Sequence, residues 1–297
     1  MKILNYGSLN IDMVFTVPHI VRDGETLASS SLMKNAGGKG ANQSAALGKA
    51  GCRVFHAGKI GKDGAFIVDL LRSYGVDTRF IRITDEPSGQ AIIQLDDASQ
   101  NAIILLPGEN KRIGRNEIDE TLAFFEAGDW LVLQNEINEI GYLIEQAHQI
   151  GMRICFNPAP FEAYVVGLPL SYVDLFVVNE IEGAMLSGSD FETDPELVLE
   201  KLNQDFPSSE IILTVGREGA FYACGTERRY QPIIDRPVVD TTGAGDTFLG
   251  YFLASRLRDL DAAASLEKAT LASAFTVSRK GAMESIPYAR EVFGGEA

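Results

Sequence analysis

WLVLQNEINEIGYLIEQAHQIGMRICFN, Trp130 to Asn157, is the stretch from which the fold can be read. Two short, continuous apolar runs, WLVLQ and RICFN, flank IGYLIEQAHQIG, a segment of helix length. Continuous apolar runs are what strands look like when helices cover both faces of their sheet, and a strand–helix–strand order places the two strands parallel. The same rhythm extends in both directions. Before it stand ILNYG, GANQSAALGKAG, RVFHAGKI and AFIVDLLRSYG; after it stand LFVVN and EIILTVG. The pattern predicts an α/β fold, a mostly parallel sheet with helices on both faces, spanning residues 1–297 as a single domain. Two segments break the rhythm, about 12–35 (VFTVP, ETLASSSLM) and about 88–106 (SGQAIIQL, NAIILL). Neither carries a helix-length pattern. They read as two pairs of strands that form either a small sheet over one end of the core or edge strands of the main sheet.

Composition narrows the function. The 297 residues carry 26 Lys and Arg against 41 Asp and Glu, a net charge of −15, which repels nucleic acid and anionic lipid alike. An anionic ligand must therefore be held by backbone amides, a few basic side chains or a bound cation. Cys52, Cys155 and Cys224 lie far apart with no CxxC spacing, so neither a disulfide framework nor a structural zinc site is expected. No signal-peptide core and no run of about 18 apolar residues occurs, and the expected location is the cytoplasm. GxGxxG after the first strand, GxxxxGK[ST], GxSxG and HExxH are all missing, and only His19, His56 and His148 occur. Dinucleotide oxidation, P-loop chemistry, Ser–His hydrolysis and His-based zinc chemistry each lack their parts, which leaves proton transfer to a carboxylate.

VVDTTGAGDTFLGYFLASRL, Val238 to Leu257, is the strongest local signal. An apolar lead-in, a Gly-Ala-Gly turn and an amphipathic run place Gly243, Ala244 and Gly245 at a helix N-terminus, where unpaired N–H groups and the macrodipole favour an anion. Asp246 follows directly, placed to accept a proton beside that anion; the competing reading is a carboxylate that merely stabilises its helix. NAGGKGANQSAALGKAG, Asn35 to Gly51, opens a second helix with Gly38, Lys39 and Asn42 among its first residues. GSLNID puts Asn10 and Asp12 on one face of an extended segment, an arrangement that suits a polyol or an ordinary turn.

GSLNID, GGKGANQ (Gly37 to Gln43), NPAP (Asn157 to Pro160), NEIE (Asn179 to Glu182), DTTGAGDTF (Asp240 to Phe248) and RKGA (Arg279 to Ala282) occur in that order. Together they resemble the ribokinase branch of the phosphofructokinase-B-like carbohydrate kinases. The resemblance implies a Rossmann-like core with a small β-sheet lid that also forms a dimer contact. It implies ATP-dependent phosphorylation of the terminal hydroxymethyl group of a small sugar, with GGKGAN favouring ribose. The alternatives are another sugar or a nucleoside, or a catalytically silent sugar-binding regulator. By motif match, Asn10, Asp12, Gly38, Lys39, Asn42 and Glu136 would hold the sugar. Asp246 would be the base, and Gly243, Ala244 and Gly245 the anion hole. Asn179, Thr214, Gly216, Gly219 and Thr270 would face the nucleotide, Thr270 standing where relatives often place Asn or His. Glu182 would organise Mg²⁺ through water; its competing reading is a helix start with acidic residues in the first turn. Asp240, Thr242, Thr276, Arg279, Gly281 and Ser285 would hold K⁺, mostly through carbonyls, although Arg279 also reads as a plain helix-end charge. TVGREG, Thr214 to Gly219, matches a loop along the nucleotide and reads equally as a hairpin turn.

Overall fold

The computed structural model describes residues 1–98 and 100–294. In chain order its strands are β1 (Ile3–Tyr6), β2 (Asn10–Val17), β3 (Ser31–Gly37), β4 (Val54–Gly61), β5 (Asp77–Thr84), β6 (Gly89–Asp96), β7 (Asn101–Leu106), β8 (Trp130–Gln134), β9 (Arg153–Asn157), β10 (Leu175–Asn179), β11 (Glu210–Thr214), β12 (Ala220–Cys224) and β13 (Glu227–Gln231). The helices are α1 (Lys39–Lys49), α2 (Ala65–Ser73), α3 (Arg115–Leu122), α4 (Ile140–Ile150), α5 (Glu180–Ser187), α6 (Pro195–Asp205), α7 (Ala244–Arg256), α8 (Ala262–Val277) and α9 (Ala289–Phe293).

Nine strands form one sheet in the order β13-β12-β11-β10-β9-β8-β1-β4-β5, parallel from β11 to β5. Alternation along each strand divides the core. Ile3, Trp130 and Val132 face one apolar cluster with residues of α1, α2, α7, α8 and α9. Leu4, Leu131 and Leu133 face a second with residues of α3, α4, α5 and α6. Helix α4 shows how the sequence achieves this: Ile140, Leu143, Ile144 and Ala147 recur at i, i+3, i+4 and i+7 and are all buried. Helix α7 is buried on nearly every side, and it lies so close to α1 that a Cβ on Gly250 would sit 2.5 Å from that of Ala46.

The two irregular segments form a separate four-stranded sheet, β3-β2-β6-β7, not edge strands of the main one. Strands β2 and β6 run parallel at its centre, with β3 and β7 antiparallel outside them. TVGREG is a hairpin loop, because β12 returns antiparallel beside β11 and β13 beside β12. The sequence reading stopped at EIILTVG and did not resolve those last two strands. The chain winds outward from β1 toward β4 and β5 on one side and toward β8 to β11 on the other. Such a reversal of strand order opens a crevice beyond the carboxyl ends of the strands, where ligands of open α/β sheets bind.

Candidate active site

Residues from β1, α1, β8 and α7 converge at that crevice. Asp246 is 8% exposed, and both its oxygens accept hydrogen bonds from α1: Asn42 Nδ2 donates to Oδ2 and Gln43 Nε2 to Oδ1, each at 2.9 Å. The donor end of Asn42 is thereby committed, while its carbonyl oxygen is buried without a partner. Glu136, just beyond β8, accepts from the Lys39 backbone N–H at 2.8 Å and from the Ser8 hydroxyl. The amide of Lys39 is therefore occupied by Glu136. Burial works against the charge on the Lys39 side chain, but Asp246, Glu136 and Glu182 together outweigh it and raise its pKa.

On β2, the Asn10 carbonyl oxygen accepts from Asn110 Nδ2 at 2.7 Å, and Asn110 Oδ1 accepts from the Leu9 amide. That arrangement turns the Asn10 amino group outward as a donor. Asp12 lies beside it, its carboxylate packed against Gly37, where a Cβ would sit 2.2 Å from Oδ2. Burial and then the nearby Glu136 push its pKa up to about 7.

At the start of α7, Gly243 adopts φ 74°, a left-handed conformation that glycine takes without strain. Among the described residues the Ala244 amide reaches the Thr241 carbonyl at 3.3 Å, whereas no carbonyl accepts from the amides of Gly245 or Asp246. Nothing lies within 4 Å of where a Cβ on Gly245 would be. Two free amides at a helix N-terminus facing open space suit an oxyanion.

Beyond β10, Asn179 and Glu182 form a reciprocal helix cap: Asn179 Oδ1 accepts from the Glu182 amide at 2.8 Å, and Glu182 Oε2 accepts from the Asn179 amide at 3.1 Å. Asn157 also donates to Glu182, at 3.3 Å. Burial raises the Glu182 pKa despite these donors. Asn179 and Thr214 are register partners on adjacent strands, and Gly216 lies in the exposed hairpin loop that follows. Gly219 closes that loop at φ 123°. Thr270, on α8, is buried, and its hydroxyl has no partner.

Asp240 ties two loops together. Its Oδ1 accepts from Thr242 N and Oγ1, and its Oδ2 accepts from the Gly281 amide at 3.0 Å. Burial opposes ionisation there, but these donors and Lys280 outweigh it and lower the pKa. Thr276 bonds Thr247 of α7, and the Ser285 hydroxyl bonds Ala282 O. The Arg279 guanidinium pairs with Glu291 at 2.5 Å, so its side chain braces α9.

Residues 1–289 match the family model of the pfkB family carbohydrate kinases. The chain belongs to this family. It is a sugar kinase, a phosphotransferase acting on an alcohol group. The kinase is 31% identical over 293 residues to the ribokinase of Haemophilus influenzae, covering 96% of this chain and 95% of that one. It is equally 31% identical, over 296 residues, to the deoxyribokinase of Salmonella typhi, with 97% and 96% covered. The crystal structure of the ribokinase of Cryptococcus neoformans in complex with ADP matches it with a TM-score of 0.87 and 34% identity, covering 98% of each chain.

Four residues of the kinase's site received no role from sequence. Ser8, Gln43 and Asn157 sit inside the motifs GSLNID, GGKGANQ and NPAP, so the signal was present but unassigned. Asn110 lies in GENK, which carries no motif, and only the fold reveals its contact with Asn10.

Proposed function

We propose that the kinase transfers the γ-phosphoryl group of ATP to the terminal hydroxymethyl oxygen of a small sugar, with D-ribose as the preferred acceptor. The observation that carries this reading is Asp246, a buried carboxylate fixed at both oxygens beside the free amides of the α7 N-terminus. Asp246 takes the proton from the hydroxymethyl O–H as the oxygen attacks phosphorus, and the bond between phosphorus and the oxygen of departing ADP breaks. The Gly243–Gly245 turn stabilises charge on the oxygens of the transferred group through the free amides of Gly245 and Asp246, while the Ala244 amide is held by the Thr241 carbonyl. Asn10 donates to a sugar hydroxyl, Asp12 and the Asn42 carbonyl accept from others, and Glu136, which already takes the Lys39 amide, completes the set with Gly38. Unmatched buried polar groups make such a site reject sugars that lack the corresponding hydroxyl. Thr214, Gly216, Gly219, Asn179 and Thr270 line the nucleotide's path.

Among the described residues there is no cluster of three or more His, Cys, Asp or Glu placed to hold a metal directly. Glu182, whose oxygens already accept from Asn157 and Asn179, fits Mg²⁺ held through water on the phosphates. When bound there, Mg²⁺ offsets the negative charge of the phosphate oxygens. The oxygen-only set at Asp240, Thr242, Thr276, Arg279, Gly281 and Ser285 fits K⁺.

The small sheet covers the sugar and pairs with a second copy of the chain. Ile103, Ile104, Leu105 and Leu106 on its edge strand β7 are 46–63% exposed, an apolar run of the kind that marks an interface. No helix among the described residues is long and apolar enough to cross a membrane. Cys52, Cys155 and Cys224 are all free thiols, which suits work in the cytoplasm.

ADP release from Mg-ATP, measured over ribose, deoxyribose, fructose, tagatose and nucleosides with and without K⁺, tests the reading. Preferential turnover of ribose, raised by K⁺, is expected. Preference for deoxyribose, the second reading favoured by the equal identity to a deoxyribokinase, would move the specificity and keep the mechanism. Silence throughout would leave a sugar-binding regulator.

A further inference from the structure

Behind Asp246 lies a chain of polar side chains that touches no open surface. Gln43, Gln134, Asn5, Ser44 and His56 are each at most 1% exposed. Gln43 Nε2 donates to Asp246 Oδ1 at 2.9 Å and to Asn157 Oδ1 at 3.2 Å, while its carbonyl accepts from Gln134 Nε2 at 2.6 Å. Gln134 Nε2 also donates to Asn5 Oδ1 at 3.0 Å.

An amide placed the wrong way round would turn its carbonyl toward the carboxylate, so what sets its orientation matters. Here two backbone carbonyls set it from opposite ends. Asn5 Nδ2 donates to Gly40 O at 2.8 Å, which leaves only its oxygen for Gln134, so Gln134 must present its amino group to Asn5 and to Gln43. Asn157 Nδ2 donates to Val177 O at 2.8 Å, which turns its oxygen toward Gln43. Both constraints leave the Gln43 amino group facing Asp246. At the far end, Asn5 Nδ2 also donates to Ser44 Oγ at 2.9 Å, and Ser44 Oγ shares a hydrogen bond with His56 Nδ1 at 2.7 Å.

We propose that Gln43 is a positioning residue for the base, its amide locked by the Gly40 and Val177 carbonyls through Asn5, Gln134 and Asn157 so that an N–H always meets Asp246. The proposal rests on Asp246 being the base. Gln43 holds that carboxylate against rotation, and Oδ2 stays beside Asn42 on the sugar side.

Gln43→Met preserves length and removes both donor and acceptor. The expected result is a fall in kcat of about 10- to 100-fold, a KM for the sugar within about twofold of wild type because Gln43 does not line the sugar site, and a shift of the acid limb of kcat to higher pH. Gln134→Met lowers kcat less, and adds nothing in the Gln43→Met background, since it acts only through Gln43. If Gln43→Met does not fold, Gln43→Glu retains the acceptor and sets a second carboxyl beside Asp246, and its activity is expected to return only as pH rises. Wild-type kcat and pH profile in Gln43→Met or Gln43→Glu, alongside an inactive Asp246→Asn, would overturn the proposal and leave the base assignment standing. An active Asp246→Asn would instead overturn the base assignment, and the proposal with it.

Discussion

The two walls of the crevice are made of different material. On the wall formed by β1, β2, α1 and β8, the proposed sugar-binding side chains are each held by another, Asn10 by Asn110 and Glu136 by Ser8, and Asn42 and Gln43 reach across to hold Asp246 of α7. On the wall formed by the starts of α5 and α7 and by the hairpin after β11, the free amides of the α7 start and exposed glycines stand beside the Asn179–Glu182 cap. A rigid polar side chain distinguishes one hydroxyl pattern from another. A row of amides recognises negative charge and is indifferent to what carries it. In the proposed reaction, discrimination therefore belongs to the first wall and phosphate handling to the second.

The sharpest way to break this contrast is Asp246→Asn, in which the side chain that joins the two walls keeps its shape and loses its basicity. Turnover measured by ADP release should fall by about 10²- to 10⁴-fold, with the fold retained by circular dichroism. Gly243→Val attacks the second wall alone. A β-branched residue at φ 74° costs on the order of 1–3 kcal/mol and displaces the amides, so kcat should fall by roughly 10-fold or more with an unchanged KM for the sugar.

Asp12→Asn attacks the first wall alone. The KM for the sugar should rise on the order of 10- to 100-fold as a charged acceptor is lost, and kcat should fall less. In wild type the same loss should occur reversibly as pH drops through about 7 and Asp12 takes up a proton. Stability should move the other way. The pKa of Asp12 is raised in the folded state, so the folded protein binds that proton more tightly and loses stability as pH rises from about 4 to 7. Asp12→Asn should accordingly melt higher than wild type at pH 8, by about 2–4 °C per kcal/mol relieved, and show no such gain at pH 4. The smallest effect on turnover is expected from Ile104→Glu, which lies on neither wall. Sedimentation should show a shift from the proposed dimer to monomer, with kcat within about twofold of wild type.

The sequence revealed the main sheet because its strands are buried on both faces and its helices are amphipathic, so each element carries its own signature. It left the small sheet undecided between two placements, since which strands pair is a long-range fact: β2 lies beside β6, far along the chain. It missed β13 because ERRYQ, at the edge of the sheet, has no apolar face to betray it, and β12 because AFYAC is not followed by a helix-length pattern that would mark it as part of a βα unit. At the site, residues embedded in glycine-rich motifs could be read, since close backbone approach restricts what the chain can use there. Asn110 and Gln134 could not, because an isolated Asn or Gln looks the same whether it faces solvent or holds another amide in place. Asn179 and Glu182 allow both readings at once, being a helix cap in geometry and a water-mediated metal site in the proposed chemistry.

The bond between Asn42 and Asp246 spans 204 positions of chain, and this has a consequence for the order of events at synthesis. By the time β13 has left the ribosome, all thirteen strands are available to fold, yet the proposed base is absent. Helix α7 must then emerge and pack against α1 before Asp246 meets its two amide donors, and α8 covers it afterwards. A nascent or truncated chain that ends before residue 246 therefore lacks the proposed base even if its sheet has formed, and it exposes the apolar face that α7 would cover, a surface for chaperones to recognise.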